Sequence, residues 1–224
     1  LSRQTSITMS PKLYIFNGSP PNRAVLVTVK AVGLDVDLQI LTKNEDLRTP
    51  ELLKINPAHT APFFVDNDKV IFDSHAIAAY LVGKYGKDDS LYPKDAYQRS
   101  QVDEKLHFDT GVLFPTLRAA IGGIMRKEYK QIPQDKANAI KDTYEIVEKF
   151  LNGKKWLAGE NPTIADISCV TTISAAELVC PIDSKMYPNV VGWLKRVQTL
   201  PYFKGDDKQV EFFKDFLKEI SNWA

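Results

Sequence analysis

Cysteine and histidine are scarce in this chain. Its 224 residues include only two cysteines, Cys169 and Cys180, and three histidines. The two cysteines could in principle pair, but two in a chain of this length do not make a disulfide framework. So few candidate ligands argue against a structural zinc site, and we expect no metal. Low cysteine content is typical of proteins of a reducing compartment, so we expect a cytoplasmic protein.

Long apolar runs and an excess of one charge are also missing. The longest uninterrupted apolar run, Ala76–Val82, is far shorter than the roughly 20 residues that span a bilayer. The net charge of +1 provides no field that would attract phosphates. We therefore expect neither membrane insertion nor nucleic-acid binding. Residues 1–8 lack the apolar core of a signal peptide, so we expect Met9 to be the natural start.

The remaining composition is that of a folded globular protein. Hydrophobic residues make up 44% and charged residues 25%, and neither the 11 glycines nor the 13 prolines are in excess. The length allows one large domain or two small ones.

The first 80 or so residues alternate between strand and helix patterns. The patterns predict, in order, a strand over Lys12–Phe16, a helix from Ser19-Pro20 to a cap at Gly33, a half-buried strand with Val36, Leu38 and Ile40 on one side, a short helix from Thr49-Pro50, a hairpin from Phe63 to Phe72, and a helix from Asp73-Ser74. This order is βαβαββα, a mixed α/β arrangement.

The second half is predicted to be all α. A polar stretch over residues 88–95 has the turn residues of a linker, which divides the chain into domains at 9–87 and 96–224. Helical patterns then cover about 95–126, 134–152, 163–179, 188–199 and 210–223. Thr163 and Asp166 have the spacing of a capping box, so we interpret them as structural. Gly122-Gly123 should soften or kink the longest helix.

The turn before the first helix is the strongest chemical candidate. It places Ser19 at the helix N-terminus, where free N–H groups and the helix dipole favour an anion and where a hydroxyl can donate to a thiolate. A plain N-cap is the more common use of Ser before Pro. The turn alone does not decide between these two interpretations.

Two further segments have the residues of a binding site. Ala61-Pro62 precedes a hairpin strand, and a cis bond there would let Ala61 offer its backbone to an extended ligand. Asp73-Ser74-His75 opens a helix whose N-terminus and hydroxyl suit a carboxylate, while Asp73 suits an ammonium. An amino acid's two charged ends fit this pair, although the segment taken alone favours a simple helix cap.

Taken together, these segments resemble the cytosolic glutathione transferases. The motifs that carry the resemblance are Ser19-Pro20-Pro21-Asn22-Arg23, Ile55-Asn56-Pro57-Ala58-His59-Thr60-Ala61-Pro62, Asp73-Ser74-His75-Ala76-Ile77, Ser90-Leu91-Tyr92-Pro93 and Thr163-Ile164-Ala165-Asp166. With Leu106–Val112, they look most like the insect epsilon class, with the delta class next. The family fold is a thioredoxin-like N-terminal domain followed by an all-helical C-terminal domain, which agrees with the predicted order.

The resemblance implies a role for each motif in binding glutathione, the co-substrate. Ser19 would hydrogen-bond the sulfur and favour the thiolate, which is the catalytic step assigned to the protein. The glutathione-facing residues would be His59 at the glycine end, Ala61 and Pro62 at the cysteinyl part, and Asp73, Ser74 and His75 at the γ-glutamyl end. Related enzymes have a further histidine upstream, where this chain has Glu45-Asp46-Leu47-Arg48.

The second substrate would be a hydrophobic electrophile between the domains. Leu117, Ile121 and Met125 recur every four residues on one helical stripe, which fits either ordinary core or a pocket wall. The resemblance favours a pocket lined by Phe16, Pro21, Phe114, Leu117, Arg118, Ile121 and Met125. It also implies a homodimer that takes part in detoxication, including insecticide metabolism.

Three alternatives stay open at this stage. Tyr14 competes with Ser19, because other classes of the family use a tyrosine near the end of the first strand. A carrier of hydrophobic ligands without turnover is the alternative to a transferase. A redox member of the fold is a third, although Ser19 stands where such proteins have cysteine.

Overall fold

A computed structural model describes residues 10–221 of the chain, so Met9 lies outside the described residues. The N-terminal part has the predicted order βαβαββα. Its elements are β1 (Lys12–Ile15), α1 (Pro20–Val32), β2 (Asp37–Ile40), α2 (Pro50–Ile55), β3 (Phe63–Asp66), β4 (Lys69–Phe72) and α3 (Ser74–Tyr85). The four strands form one sheet in the order β2-β1-β3-β4, in which β1 is parallel to β2 and antiparallel to β3. The predicted thioredoxin-like domain is confirmed.

The C-terminal part is helical throughout the described residues. It contains α4 (Ala96–Phe108), α5 (Phe114–Met125), α6 (Gln134–Phe150), α7 (Ile164–Glu177), α8 (Pro188–Gln198) and α9 (Asp207–Ser221). A polar connection lies between α3 and α4. Its residue Leu91 accepts a hydrogen bond through its carbonyl from Ile164 N–H at the start of α7. None of the helices within residues 10–221 is both long and apolar enough to cross a membrane.

Local sequence signals account for several element ends. Gly33 follows α1 with a φ of 70°, and its N–H donates to Lys30 O, as expected for a glycine cap. Thr163 and Asp166 form the predicted capping box at α7, and Asp166 also accepts hydrogen bonds from Leu157 N–H and Trp193 Nε1–H, both at 2.9 Å. The structural interpretation of this motif is therefore confirmed.

The expectation that β2 is half-buried was wrong. Leu38 and Ile40 are 40% and 53% exposed, and only Val36, just before the strand, packs against the core. The period-two pattern correctly groups these side chains on one face. It cannot tell whether another element covers that face, and β2 lies at the edge of the sheet.

The long helix predicted over 95–126 is interrupted, but not at its glycines. Residues Asp109–Leu113 form a π-helical turn between α4 and α5. Gly122 and Gly123 lie within the regular part of α5. A Cβ on Gly123 would lie 2.2 Å from the ring of Tyr129, whose hydroxyl donates to Ala120 O at 2.7 Å. The helix is therefore not interrupted at these glycines, and Gly123 instead makes room for an aromatic ring.

The two domains share their hydrophobic cores. One cluster joins Ala24 and Val27 of α1 to the helical domain, and the other joins Val25 and Val29 of α1 to the sheet, α3 and parts of α4 and α7. Helix α1 therefore packs on both sides, which fixes the turn before it relative to the helical domain. Cys169 and Cys180 are buried free thiols, so the two do not pair.

Candidate glutathione site

The pairing of the strands brings the three site motifs to the same end of the sheet, where β1 and β4 end and β3 begins. Tyr14 of β1 pairs with Phe63 of β3, and Phe63 pairs with Phe72 of β4. The Ser19 turn follows β1 within five residues, Ala61-Pro62 immediately precedes Phe63, and Asp73-Ser74 immediately follows Phe72. Three segments that are far apart in the sequence therefore end side by side.

Ser19 occupies the N-cap position of α1 without using its side chain as a cap. Its backbone is extended, with φ −63° and ψ 128°, and its hydroxyl makes no cap hydrogen bond. Pro20 and Pro21 fill the first two helical positions, so this helix end lacks two of the N–H groups that we expected to attract an anion. The side chain of Ser19, half-buried, is the main donor that the turn offers.

The segment before β3 contains a cis peptide bond and is held by a buried side chain. The Ala61–Pro62 peptide bond is cis, as considered from the sequence. Asn56, buried to 1% exposure, donates from Nδ2 to Thr60 O at 2.8 Å and so fixes the loop. His59 has a positive φ of 42°, and its Nδ1 lies 3.2 Å from Pro57 O.

Asp73 caps α3 in a backbone conformation that side chains rarely adopt. Its φ is 75°, and its Oδ1 accepts hydrogen bonds from the N–H groups of His75 and Ala76 at 3.0 and 3.1 Å. A non-glycine residue at such a φ costs of order 1–3 kcal/mol and is typical of functional sites. Ser74 follows as the first residue of the helix and is buried to 8% exposure.

His75 connects the two domains. Its Nε2 lies 3.0 Å from Asp109 Oδ2 and its Nδ1 lies 2.8 Å from Thr110 Oγ1, both in the π-helical turn. Because an ionised carboxylate can only accept, Nε2 carries the hydrogen, and the Thr110 hydroxyl donates to Nδ1 in the neutral ring. Both ring nitrogens are therefore used within the protein, which the sequence did not indicate.

The ring of Tyr14 lies against its partner in the neighbouring strand. Its ring stacks on that of Phe63, with centroids 4.1 Å apart and planes within 8°. This contact follows directly from their pairing in neighbouring strands.

The segment that stands in place of the upstream histidine forms its own small structure. Asp46 accepts hydrogen bonds from Thr42 N–H at 2.8 Å and Lys43 N–H at 3.1 Å, and these bonds lower the pKa of its carboxyl. Leu47 is buried, while Glu45 and Arg48 are exposed. Asp46 is thus a capping residue of the 3₁₀ turn Asn44–Arg48.

The residues predicted for the hydrophobic pocket separate into two groups. Leu117 and Ile121 are 1% and 8% exposed and belong to the helical core. The others have accessible surface: Phe16, Pro21 and Phe114 are half-buried, and Arg118 and Met125 are exposed. The stripe every four residues is therefore core over most of its length.

One cavity lies near this region, at the C-terminal ends of α5 and α9. It has a volume of about 450 Å³ and is lined by Ile124, Lys127, Glu128, Tyr129, Lys130, Glu219, Ile220 and Ser221. The sequence pattern missed it because its walls come from a loop and from a helix about 90 residues later. Within residues 10–221, no group of three His, Cys, Asp or Glu side chains is arranged to hold a metal ion.

Comparisons with known proteins point to one family. The family model described as "Glutathione S-transferase, N-terminal domain" matches residues 13–89, and that described as "Glutathione S-transferase, C-terminal domain" matches residues 110–201. Glutathione S-transferase 1 of Manduca sexta is 40% identical over 197 residues, which cover 86% of this chain and 89% of the relative.

Solved structures give the same answer. An epsilon-class glutathione S-transferase from the housefly, Musca domestica, matches with a TM-score of 0.90 at 38% identity, covering 94% of this chain and 98% of that one. A glutathione transferase homolog from Drosophila mojavensis, solved with bound glutathione, matches with a TM-score of 0.89 at 40% identity, covering 94% and 97%.

The chain thus has the fold of a transferase. A thioredoxin-like domain, with the three motifs at one end of its sheet, is joined to a helical domain. The chain belongs to the glutathione S-transferase family. Within it, the predicted likeness to the insect epsilon and delta classes is confirmed. It is an enzyme that conjugates glutathione, its co-substrate, and the alternative of a carrier without turnover is not favoured.

Proposed function

We propose that Ser19 activates glutathione by donating a hydrogen bond from its hydroxyl to the sulfur. One observation carries the proposal: the three motifs meet at the same end of the sheet. The pairing of Tyr14 with Phe63 and of Phe63 with Phe72 brings them there. Three neighbouring strands span about 10 Å, because strands lie about 4.8 Å apart. An extended tripeptide is also about 10 Å long. A tripeptide laid across the strand ends would therefore reach all three motifs.

The chemistry assigned to Ser19 is a shift of the thiol's acid–base equilibrium. A free thiol has a pKa of about 8.5, so a few per cent is ionised at neutral pH. A hydroxyl that donates to the sulfur stabilises the thiolate and lowers this pKa. The thiol proton passes to solvent, a sulfur lone pair forms the bond to the electrophilic carbon, and a leaving group departs with its electron pair.

We assign the remaining contacts with glutathione from the hydrogen-bonding groups that each motif offers. Ala61 would pair through its backbone with the cysteinyl part, and Pro62 shapes that segment. Ser74 would hold the γ-glutamyl carboxylate, and Asp73 the amino group beside it. His59 would lie near the glycine end.

His75 differs from these residues, because both of its ring nitrogens already form hydrogen bonds with the π-helical turn between α4 and α5. Its role in binding is therefore to position Ser74. It does so by holding the start of α3 against the helical domain.

A hydrophobic electrophile would lie beside the sulfur, against the accessible predicted residues Phe16, Pro21, Phe114, Arg118 and Met125. The mostly apolar residues of this surface support an apolar electrophile. The proposed role is detoxication, including insecticide metabolism, in the cytoplasm, as the resemblance to the insect epsilon and delta classes implies. A homodimer is supported by large apolar side chains left exposed, such as Phe72 at 44% and Tyr97 at 73%, and sedimentation would measure it.

The test measures the thiol pKa of enzyme-bound glutathione from the thiolate's ultraviolet absorbance across pH. Wild-type enzyme should depress it by one unit or more, and Ser19→Ala should return it toward the free value with the fold intact. Ser100→Ala, which removes an exposed hydroxyl on α4, is the matched control. A depressed pKa that persists in Ser19→Ala would remove Ser19 from the mechanism.

A further inference from the structure

The turn that carries Ser19 holds the Ser19 backbone, through Arg23 N–H donating to Ser19 O at 3.0 Å, but not the Ser19 side chain. The Ser19 hydroxyl makes no cap bond, and Pro20 and Pro21 have no N–H to donate. Gly18 has a φ of 78°, in the region where glycine has the most conformational freedom. Contacts from elsewhere in the chain to the residues beside Ser19 therefore bear on where its hydroxyl points.

Such contacts come from α9, about 190 residues later. The side-chain amide of Gln209 makes two hydrogen bonds with the turn: its Oε1 accepts from Gly18 N–H at 2.7 Å, and its Nε2 donates to Asn17 Oδ1 at 3.2 Å. The fit is close, because a Cβ on Gly18 would lie 2.9 Å from the backbone nitrogen of Phe213. Gln209 thus matches a donor and an acceptor of one turn.

A second connection lies on the other side of Ser19. Arg23, four residues later, forms two hydrogen bonds with Asp206, which directly precedes α9. Gln209 N–H in turn donates to Asp206 O at 2.9 Å. The first turn of α9 therefore holds the chain both before and after Ser19.

The geometry points to Gln209 as a positioning residue that aims the Ser19 hydroxyl at the glutathione sulfur. Gln209 does not itself touch the sulfur in this mechanism. It makes thiol activation depend on the docking of α9. This inference rests on the proposed function of Ser19.

The test replaces Gln209 with methionine, which has a similar length and no hydrogen-bonding amide. The thiol pKa of bound glutathione should rise by about one unit, and kcat/KM at neutral pH should fall about three- to tenfold with the thiolate fraction. Gln198→Met makes the same chemical change at an exposed position on α8 and should alter neither. Asn17→Ala removes only the 3.2 Å bond and should shift the pKa in the same direction by less.

The outcomes separate the two proposals. A Gln209→Met enzyme with a lower Tm but a wild-type thiol pKa would overturn the inference, because it would show a structural role only, and would leave Ser19 in place. A wild-type enzyme with no pKa depression dependent on Ser19 would overturn the proposed function and the inference with it. If Gln209→Met does not fold, a wild-type pKa in Asn17→Ala counts against the inference.

Discussion

The guanidinium of Arg23 and the carboxylate of Asp206 face each other across the domain boundary in a two-point contact. Arg23 Nε donates to Oδ1 at 3.1 Å and Nη2 donates to Oδ2 at 2.6 Å. The side chains are only 2% and 12% exposed. Arg23 Nη1 also donates to Thr171 O at 3.2 Å, so one buried side chain joins α1, α7 and the start of α9.

Removing the acidic partner should destabilise the fold strongly. Asp206→Ala leaves the Arg23 guanidinium buried without a counter-ion, which costs about 3–5 kcal/mol of unfolding free energy. Urea denaturation measures it. Lys149→Ala is the control, because its pair with Glu145 is exposed at 71% and 58% and is expected to contribute below about 0.5 kcal/mol. Equal losses in the two variants would contradict the argument from burial.

Asp73 allows its charge to be separated from its capping role. Asp73→Asn keeps a side-chain oxygen for the N–H groups of His75 and Ala76, and asparagine tolerates the positive φ of 75°. Stability should therefore change by less than about 0.5 kcal/mol. The loss of a charge-assisted hydrogen bond to the glutathione ammonium should weaken binding about tenfold or more, measured by calorimetry.

The control for this variant is Asp95→Asn, the same substitution at the N-cap of α4, where Asp95 accepts from Gln98 N–H. It should leave the affinity for glutathione unchanged. An unchanged affinity in Asp73→Asn as well would mean that Asp73 serves α3 only and faces no ammonium.

The parts of the fold that could be predicted are those with local causes. Gly33 ends α1 because its φ of 70° suits glycine, and Thr163 caps α7 because a hydroxyl can reach the first turn. The three site motifs were also recognisable, because each one fits a particular turn or helix start. The exposure of Leu38 was not predictable, since it depends on whether another element covers β2.

Contacts over long sequence separations left no local signal. Gln209 lies 191 residues from Gly18, and nothing in its own neighbourhood marks it as part of a site. Leu117, Ile121 and Met125 share one stripe, but only the packing of other helices decides that the first two are core. The sequence thus indicates which residues share a face, and the tertiary structure decides what that face meets.

Asp66 should make stability fall in acid. Burial disfavours its charged form, but hydrogen bonds from Lys84, Tyr85 and Tyr80 outweigh this and lower the pKa of Asp66 from 3.8 to about 2. Its carboxylate is 2% exposed, so the contribution is on the order of 2 kcal/mol. Because the folded pKa is depressed, this stability is present above pH 4 and is lost as the pH falls toward 2.

Urea unfolding between pH 5 and pH 2 measures this dependence. Asp66→Asn should be less stable at pH 7 and should lose less additional stability on acidification than wild type. Asp68→Asn, at an exposed position in the same hairpin turn, should keep the wild-type slope. A slope that is the same in all three proteins would assign the acid sensitivity to other groups.

Adjacent glycines in α5 should respond to alanine in opposite directions. A Cβ on Gly123 would lie 2.2 Å from the Tyr129 ring, so Gly123→Ala must displace that ring and its bond to Ala120 O, at a cost of about 1–3 kcal/mol. At Gly122 the nearest atom is the end of the flexible Arg126 side chain at 3.0 Å. Gly122→Ala should therefore gain up to about 1 kcal/mol of helix propensity. Thermal unfolding compares the two, and a stabilised Gly123→Ala would show that Tyr129 does not need this space.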